Sequence, residues 1–145
     1  MRVIGFNFNK ISIEKLNNKA DKIKFNTKID ISSIEPLKTE VLKTKDELLK
    51  VDFTYSIIYE PDFAKIELAG TIILSVEAKI AKEVLKGWKD KETTEDFRIF
   101  LFNVILRKSN IKALQLEEEL GLPLHLPFPS LNKGNIKEQK DEKKE

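Results

Sequence analysis

Apolar and polar residues alternate along most of the first half of the chain. In KIKFNTKIDI, residues 22–31, Ile23, Phe25, Ile29 and Ile31 share one parity, while Lys24, Asn26, Lys28 and Asp30 take the other. A period of two places these sets on opposite faces of a half-buried strand. LLKVDFTYSIIY repeats the pattern with Leu49, Val51, Phe53, Tyr55, Ile57 and Tyr59, and KIELAGTIILSV does so with Ile66, Leu68, Ile72, Leu74 and Val76. Between them, Pro61 presets a turn dihedral and Asp62 tolerates the next position, so EPDF, residues 60–63, predicts a hairpin. Near the N-terminus Ile4, Phe6 and Phe8 share one parity and Ile11 and Ile13 the other, a slip that a bulge or bend near Lys10 absorbs. The stretch from Ser32 to Glu47, with Pro36 and many charges, predicts a loop whose length suits a crossover. Four strands, each apolar on one side, predict an antiparallel sheet with one face covered and the other largely wet.

Beyond Val76 the period becomes helical. Ile80, Ala81, Val84, Leu85 and Trp88 recur at three- and four-residue spacing in AKIAKEVLKGWKD, residues 78–90, which predicts a short amphipathic helix. Thr93 or Thr94 suits the N-cap of a longer helix, and Glu95 and Asp96 then meet the positive end of its dipole. That helix is expected to run to Leu120 and stop at Gly121, with Pro123 just beyond, and a break near Ser109 and Asn110 is a further expectation. Its middle, IFLFNVIL, residues 99–106, has Asn103 as the one polar residue. A helix apolar nearly all round is covered on more than one side, and a single four-stranded sheet covers only one. The pattern therefore predicts a homo-oligomer, with Phe97, Phe100, Leu101, Val104 and Ile105 as candidate interface residues and Asn103 as a buried polar group in need of a partner.

Behind the helix comes GLPLHLPFPS, residues 121–130. Pro123, Pro127 and Pro129 fix φ and push their predecessors out of the α region, so the segment is an extended strap. Leu122, Leu124, Leu126 and Phe128 share one side of it, and His125 is expected opposite, in solvent. From Asn132 the chain is too charged to order itself. One domain over 1–131 and a disordered charged tail over 132–145 are thus expected.

Composition narrows the chemistry more than it names it. A chain of 145 residues with 41% hydrophobic content suits one core. Without cysteine there is no disulfide framework and no thiolate chemistry. The apolar runs fall far short of the roughly 20 residues of a membrane span, and MRVIGFNFNK is too short and polar in its apolar stretch for a signal peptide, so a cytoplasmic protein with no membrane partner is expected. The 26 basic and 24 acidic residues interleave to a net charge of +2, which makes nucleic acid an unlikely partner. The charged fraction of 34%, rich in Lys and Glu, would suit a thermophile. The only histidine is His125, which leaves a zinc site or a histidine triad without ordinary partners. Glu117 to Glu119 reads as a solvated helix face, and the five glycines never fall in a phosphate-loop spacing. No enzyme, metal or cofactor is expected. Ile58, Phe63 and Ile73 lie at turn or outer-face positions, where exposure together would make an apolar patch.

The order of elements resembles the SecB family of protein-export chaperones and the SecB-like proteins of other prokaryotes. The likeness runs from about Val3 to Leu131: a bent first strand, VIGFNFNKISI; a second strand and crossover, KIKFNTKIDISSIEPL; the long hairpin VDFTYSIIYEPDFAKIELAGTIILSV; a long helix; and the strap GLPLHLPFPSL. The resemblance implies an α+β fold, a four-stranded antiparallel sheet with the long C-terminal helix packed on one face, paired into a dimer or tetramer. It also implies ATP-independent binding of unfolded or nascent polypeptides in an apolar groove, with Ile58, Tyr59, Phe63, Leu124, Leu126 and Phe128 as the candidate lining by position. The rival readings are a structural or adaptor protein of SecB-like fold without holdase activity and, less favoured, weak RNA binding. SecB is strongly acidic and docks on the translocase motor SecA; this chain is near neutral, which counts against SecA as a partner. The usual second C-terminal helix is absent from the pattern, and the short helix over 78–90 is inserted or extended relative to it, which leaves open whether it covers the groove, as a replacement lid or as a block.

Overall fold

The computed structural model describes residues 1–19, 22–38, 45–131 and 133; the tail expected over 132–145 lies, but for Lys133, outside the described residues. Strands β1 (Arg2–Lys15), β2 (Lys24–Leu37), β3 (Asp46–Glu60) and β4 (Ala64–Glu77) precede helices α1 (Ala78–Trp88) and α2 (Glu95–Leu120). The strands form one antiparallel sheet in the order β1-β4-β3-β2. The alternation read from sequence holds in the two central strands, where Val51, Phe53, Tyr55, Ile57 and Tyr59 of β3 and Ile66, Leu68, Ile72 and Leu74 of β4 are buried. Both helices cover this face, and the α+β architecture is the one expected.

The crossover sits elsewhere than expected. β2 continues to Leu37 and pairs with the start of β3, Leu37 opposite Leu48, so these strands are direct neighbours; of the expected loop over Ser32–Glu47, residues 32–37 and 46–47 are strand, and 39–44 lie outside the described residues. Pro36 is accommodated because β2 is an edge strand, where a missing backbone donor breaks no second ladder. The connection that crosses the sheet is the one between β1 and β2, which lie on opposite edges. It passes the β3–β4 turn, where the amides of Leu16 and Asn17 both donate to the Phe63 carbonyl, at 2.8 and 3.2 Å. In that turn the Glu60–Pro61 bond is cis and Asp62 takes a left-handed φ of 45°, which an aspartate tolerates.

The parity slip in β1 is a bulge between Phe8 and Lys10, and a second lies between Val3 and Gly5. β2 has its own between Ile31 and Ser33. The register places the Phe8 and Ile31 sites on one line through Gly70 and Phe53, so both edges carry an extra residue at the same level. Bulges add local bend and twist to a sheet. Gly70 lies on that line because nothing larger fits: a Cβ there would stand 2.7 Å from the Asn7 carbonyl and 2.7 Å from the Phe53 ring. Phe53 in turn packs with Phe6 and Phe8, ring centres 5.5 and 6.5 Å away. On the opposite face a polar ladder follows the same line. Asn7 donates to Asn9 (2.6 Å), Asn9 to Thr71 (2.7 Å), and Thr71 and Ser33 to the Asp52 carboxylate (2.6 and 2.8 Å). The Thr71 hydroxyl above all, with Ser33 and the charge of Lys50, holds the Asp52 carboxyl below its ordinary value although burial acts the other way.

α2 begins at the Thr94 cap, whose side chain accepts from the Phe97 amide, and ends at Gly121 in the left-handed conformation, φ 65°. It is unbroken at Ser109 and Asn110, against expectation: Ser109 is small enough to lie fully buried, and Asn110 directs its side chain to Tyr55. Its buried residues step by four through Phe97, Leu101, Ile105, Ser109, Ala113 and Glu117. Each such step moves the buried side about 40° further round a 3.6-residue helix, so the covered stripe winds rather than runs straight. Asn103 falls off this stripe and is exposed, a correction to its expected burial; it needs no partner within the chain.

Replacing Gly70 by Ala forces a backbone carbonyl or a packed ring to move, and is expected to cost about 1–3 kcal/mol. Urea unfolding would show this as a lower midpoint at unchanged slope; an unchanged midpoint would mean that the bend does not depend on this close approach.

Candidate functional site

The strap folds back along the C-terminal half of α2, and one carboxylate fixes it there. Glu117 is completely buried. Its carboxylate receives the backbone N–H of His125 at 3.2 Å and lies 2.7 Å from that residue's Nδ1, while the Tyr59 hydroxyl approaches from β3. Tyr59 carries its one hydroxyl proton between this carboxylate and the carbonyl of Pro123, 2.8 Å away. The other ring nitrogen of His125, Nε2, is 3.0 Å from the Asn110 side-chain amide, to which the Tyr55 hydroxyl also bonds. Sheet, helix and strap thus meet in one buried polar network.

This corrects two readings of the sequence. The His125 side chain is 3% exposed rather than solvated, and Glu117 belongs to the core rather than to a wet helix face. A signal was present for both. The four-residue stripe that starts at Phe97 lands on Glu117, and two tyrosines at core parity each bring a hydroxyl that needs a partner.

Above the network the strap and α2 leave an apolar groove of about 360 Å³, lined by Ile111, Leu114, Gln115, Glu118, Leu124 and Phe128. That volume lies within the common range of about 300–1,000 Å³ for ligand sites. Phe128 is 60% exposed and Ile111 54%, so apolar surface remains open to water at its mouth. Of the six residues expected to line a groove, Leu124 and Phe128 do come together. Leu126 stands exposed beside them on the strap and is not part of the lining. Tyr59 and Phe63 are buried in the core, and Ile58, on the other parity of β3, faces the opposite side of the sheet. Phe63 is therefore part of no exposed patch with Ile58 and Ile73. Ile111 and Leu114 went unmarked because helical apolar residues read as core, and the exposure of Ile111 depends on where the winding stripe has reached by that turn.

The five expected interface residues also divide. Phe97, Leu101 and Ile105 are at most 1% exposed within the single chain, which leaves them no surface for a second copy. Phe100 and Val104 are half-buried, and Ile99, beside them, is 52% exposed. α1 neither covers nor blocks the groove: it contributes no residue to the lining, packing Ala81 and Val84 into the core instead. Among the described residues no group of acids and histidine is placed to hold a metal, and no helix is long and apolar enough to cross a membrane.

Neither a protein-family model nor a curated protein sequence matches this chain. Among solved structures it is similar to the SecB-like chaperone Rv1957 of Mycobacterium tuberculosis, in complex with a ChAD peptide from the Rv1956 HigA1 antitoxin, with a TM-score of 0.52 and 8% identity over 91% of each chain. The fold is SecB-like. At this identity the likeness concerns the course of the chain alone. The four-stranded sheet and long helix of the SecB-like fold bring Tyr55, Tyr59, Asn110, Glu117 and His125 of this chain into one network.

Burial above all, and then Glu117, through its charge at Tyr55 and through its hydrogen bond and charge at Tyr59, push both phenols well above their ordinary value of 10.0. Tyr55 and Tyr59 are the only tyrosines in the chain. A raised folded value means that the stability they bring is fully present below pH 10 and falls as the pH rises above it. Spectroscopic titration of the native protein should therefore show no tyrosinate step near pH 10, and tyrosinate should appear only together with alkaline unfolding. A step near 10 in a chain that stays folded would show the network open to water.

Proposed function

We propose that this protein binds extended, apolar polypeptide segments, without nucleotide, in the groove between α2 and the strap, in the manner of a chaperone for unfolded or nascent chains. The observation that carries the reading is an open apolar groove whose outer wall, the proline strap, is fixed by a buried polar network. Such a wall offers Leu124 and Phe128 to a ligand without collapsing onto α2. Each apolar side chain that enters gains about 25 cal/mol per Å² removed from water. The similar Mycobacterium tuberculosis protein, solved with a peptide of an antitoxin, supports the same class of ligand.

The outward side of α2 favours a second property, self-association. Ile99 is 52% exposed, and Phe100, Phe102, Val104 and Leu106 are only half-covered by their own chain. A homo-oligomer that joins these faces would remove their remaining apolar surface from water. Should those faces be the chain's whole interaction surface, the protein is a structural or adaptor oligomer of the same fold.

Suppression of aggregation separates the two. Purified protein, without nucleotide, is titrated into a chemically unfolded client diluted into buffer, beside an Ile111→Asp, Phe128→Asp variant whose circular dichroism and unfolding midpoint match those of the parent. The parent should suppress aggregation at near-stoichiometric ratio and the variant should need at least about tenfold more, since two apolar contacts of about 1 kcal/mol each are lost. No suppression by a parent that sediments as an oligomer would assign the apolar surface to self-assembly.

A further inference from the structure

A second cleft, of about 560 Å³, lies toward the other end of α2, where the edge strand β2 meets the corner between the two helices. Its floor is apolar, from Ile29 and Ile31 of β2 and Leu101 and Phe102 of α2, and Trp88 forms a wall. Its rim is charged and unevenly paired. Arg98 is exposed, and its side chain makes no hydrogen bond or ion pair among the described residues. Lys91 places its ammonium 4.4 Å from the centre of the Trp88 ring. Of the two acids at the rim, Asp30 stands 3.6 Å from Lys28, which leaves Glu92 alone against Lys91 and Arg98.

The backbone adds an independent observation. α1 ends with the Glu92 amide on the Gly87 carbonyl (3.0 Å) and the Lys91 amide on that of Trp88 (2.8 Å), and Lys91 itself takes the left-handed conformation, φ 59°. Glycine is the usual occupant of that position in such a helix ending. A lysine held there against backbone preference, with its side chain on the wall of a cleft, fits a residue kept for what its ammonium meets.

We propose that this cleft takes an extended peptide in which an apolar residue is flanked by acidic ones. The apolar side chain rests on the floor, the acid faces Lys91 and Arg98, and the unpaired backbone groups of edge strand β2 are available to the extended chain. The inference rests on the reading of the protein as a peptide binder and adds a charge preference to it.

Trp88 is the only tryptophan in the chain, so its emission reports this cleft alone. Two peptides with the same apolar centre, one flanked by Glu and one by Lys, are titrated into the full chain. The Glu peptide should shift Trp88 emission and bind about threefold to fivefold more tightly than the Lys peptide at low salt, with the difference shrinking as salt is added. Arg98→Gln should erase the preference and leave the Lys peptide's affinity unchanged, and Lys91→Gly should reduce it. Equal affinities, a preference that survives Arg98→Gln, a Glu peptide that leaves Trp88 emission unmoved, or binding of neither peptide would each overturn the proposal. A protein that still suppresses aggregation of an unfolded client after any of these results keeps its proposed function and loses only the acidic preference.

Discussion

A carboxylate taken out of water must be met by donors, and Glu117 is met from the strap and from β3. Its position in the last turns of α2, completely buried, requires that something polar come back to it. The strap does, with the His125 ring and backbone amide, and Tyr59 closes the remaining side from the sheet. Proline supplies the other half of the constraint. A segment that cannot coil or donate along its length lies extended over an apolar surface, and the Glu117 network decides which surface and in what register.

Bulges on both edges, aligned through Gly70 and Phe53, bend the sheet at one level, and the buried stripe of α2 winds round the helix. That winding reconciles two facts that would conflict on a straight helix. Ile105 and Glu117 are both buried, while Ile99 and Ile111, on the same helix, are more than half exposed.

Much of the fold was legible because period-two alternation, a Pro-Asp turn, a threonine cap and a terminal glycine are local signals with local causes. The strands, the hairpin, the bulge near Lys10 and both helices follow from them. Connectivity was less legible: the length and charge of residues 32–47 suggested a crossover, yet an edge strand tolerates Pro36 and polar residues that a central strand would not. Of the six residues that line the groove, two were legible, Leu124 and Phe128. The network beneath it was not, because patterning sorts residues by polarity and assigns His125 and Glu117 to water. Their burial is a tertiary fact, set by two tyrosines more than 50 positions earlier in the chain.

On the proposed reading, the open groove beside the clamped strap takes apolar peptide and the separate cleft at the helix corner discriminates by charge. The groove depends on the strap and sheet behaving as one body. Amide hydrogen exchange at His125, whose N–H points at the Glu117 carboxylate, tests this most directly. If the network clamps the strap, that amide exchanges as slowly as the amides of β3, through opening of the core. Exchange at the rate of a solvated extended segment, while β3 stays protected, would show that the strap is unclamped and would remove the fixed wall on which the groove depends.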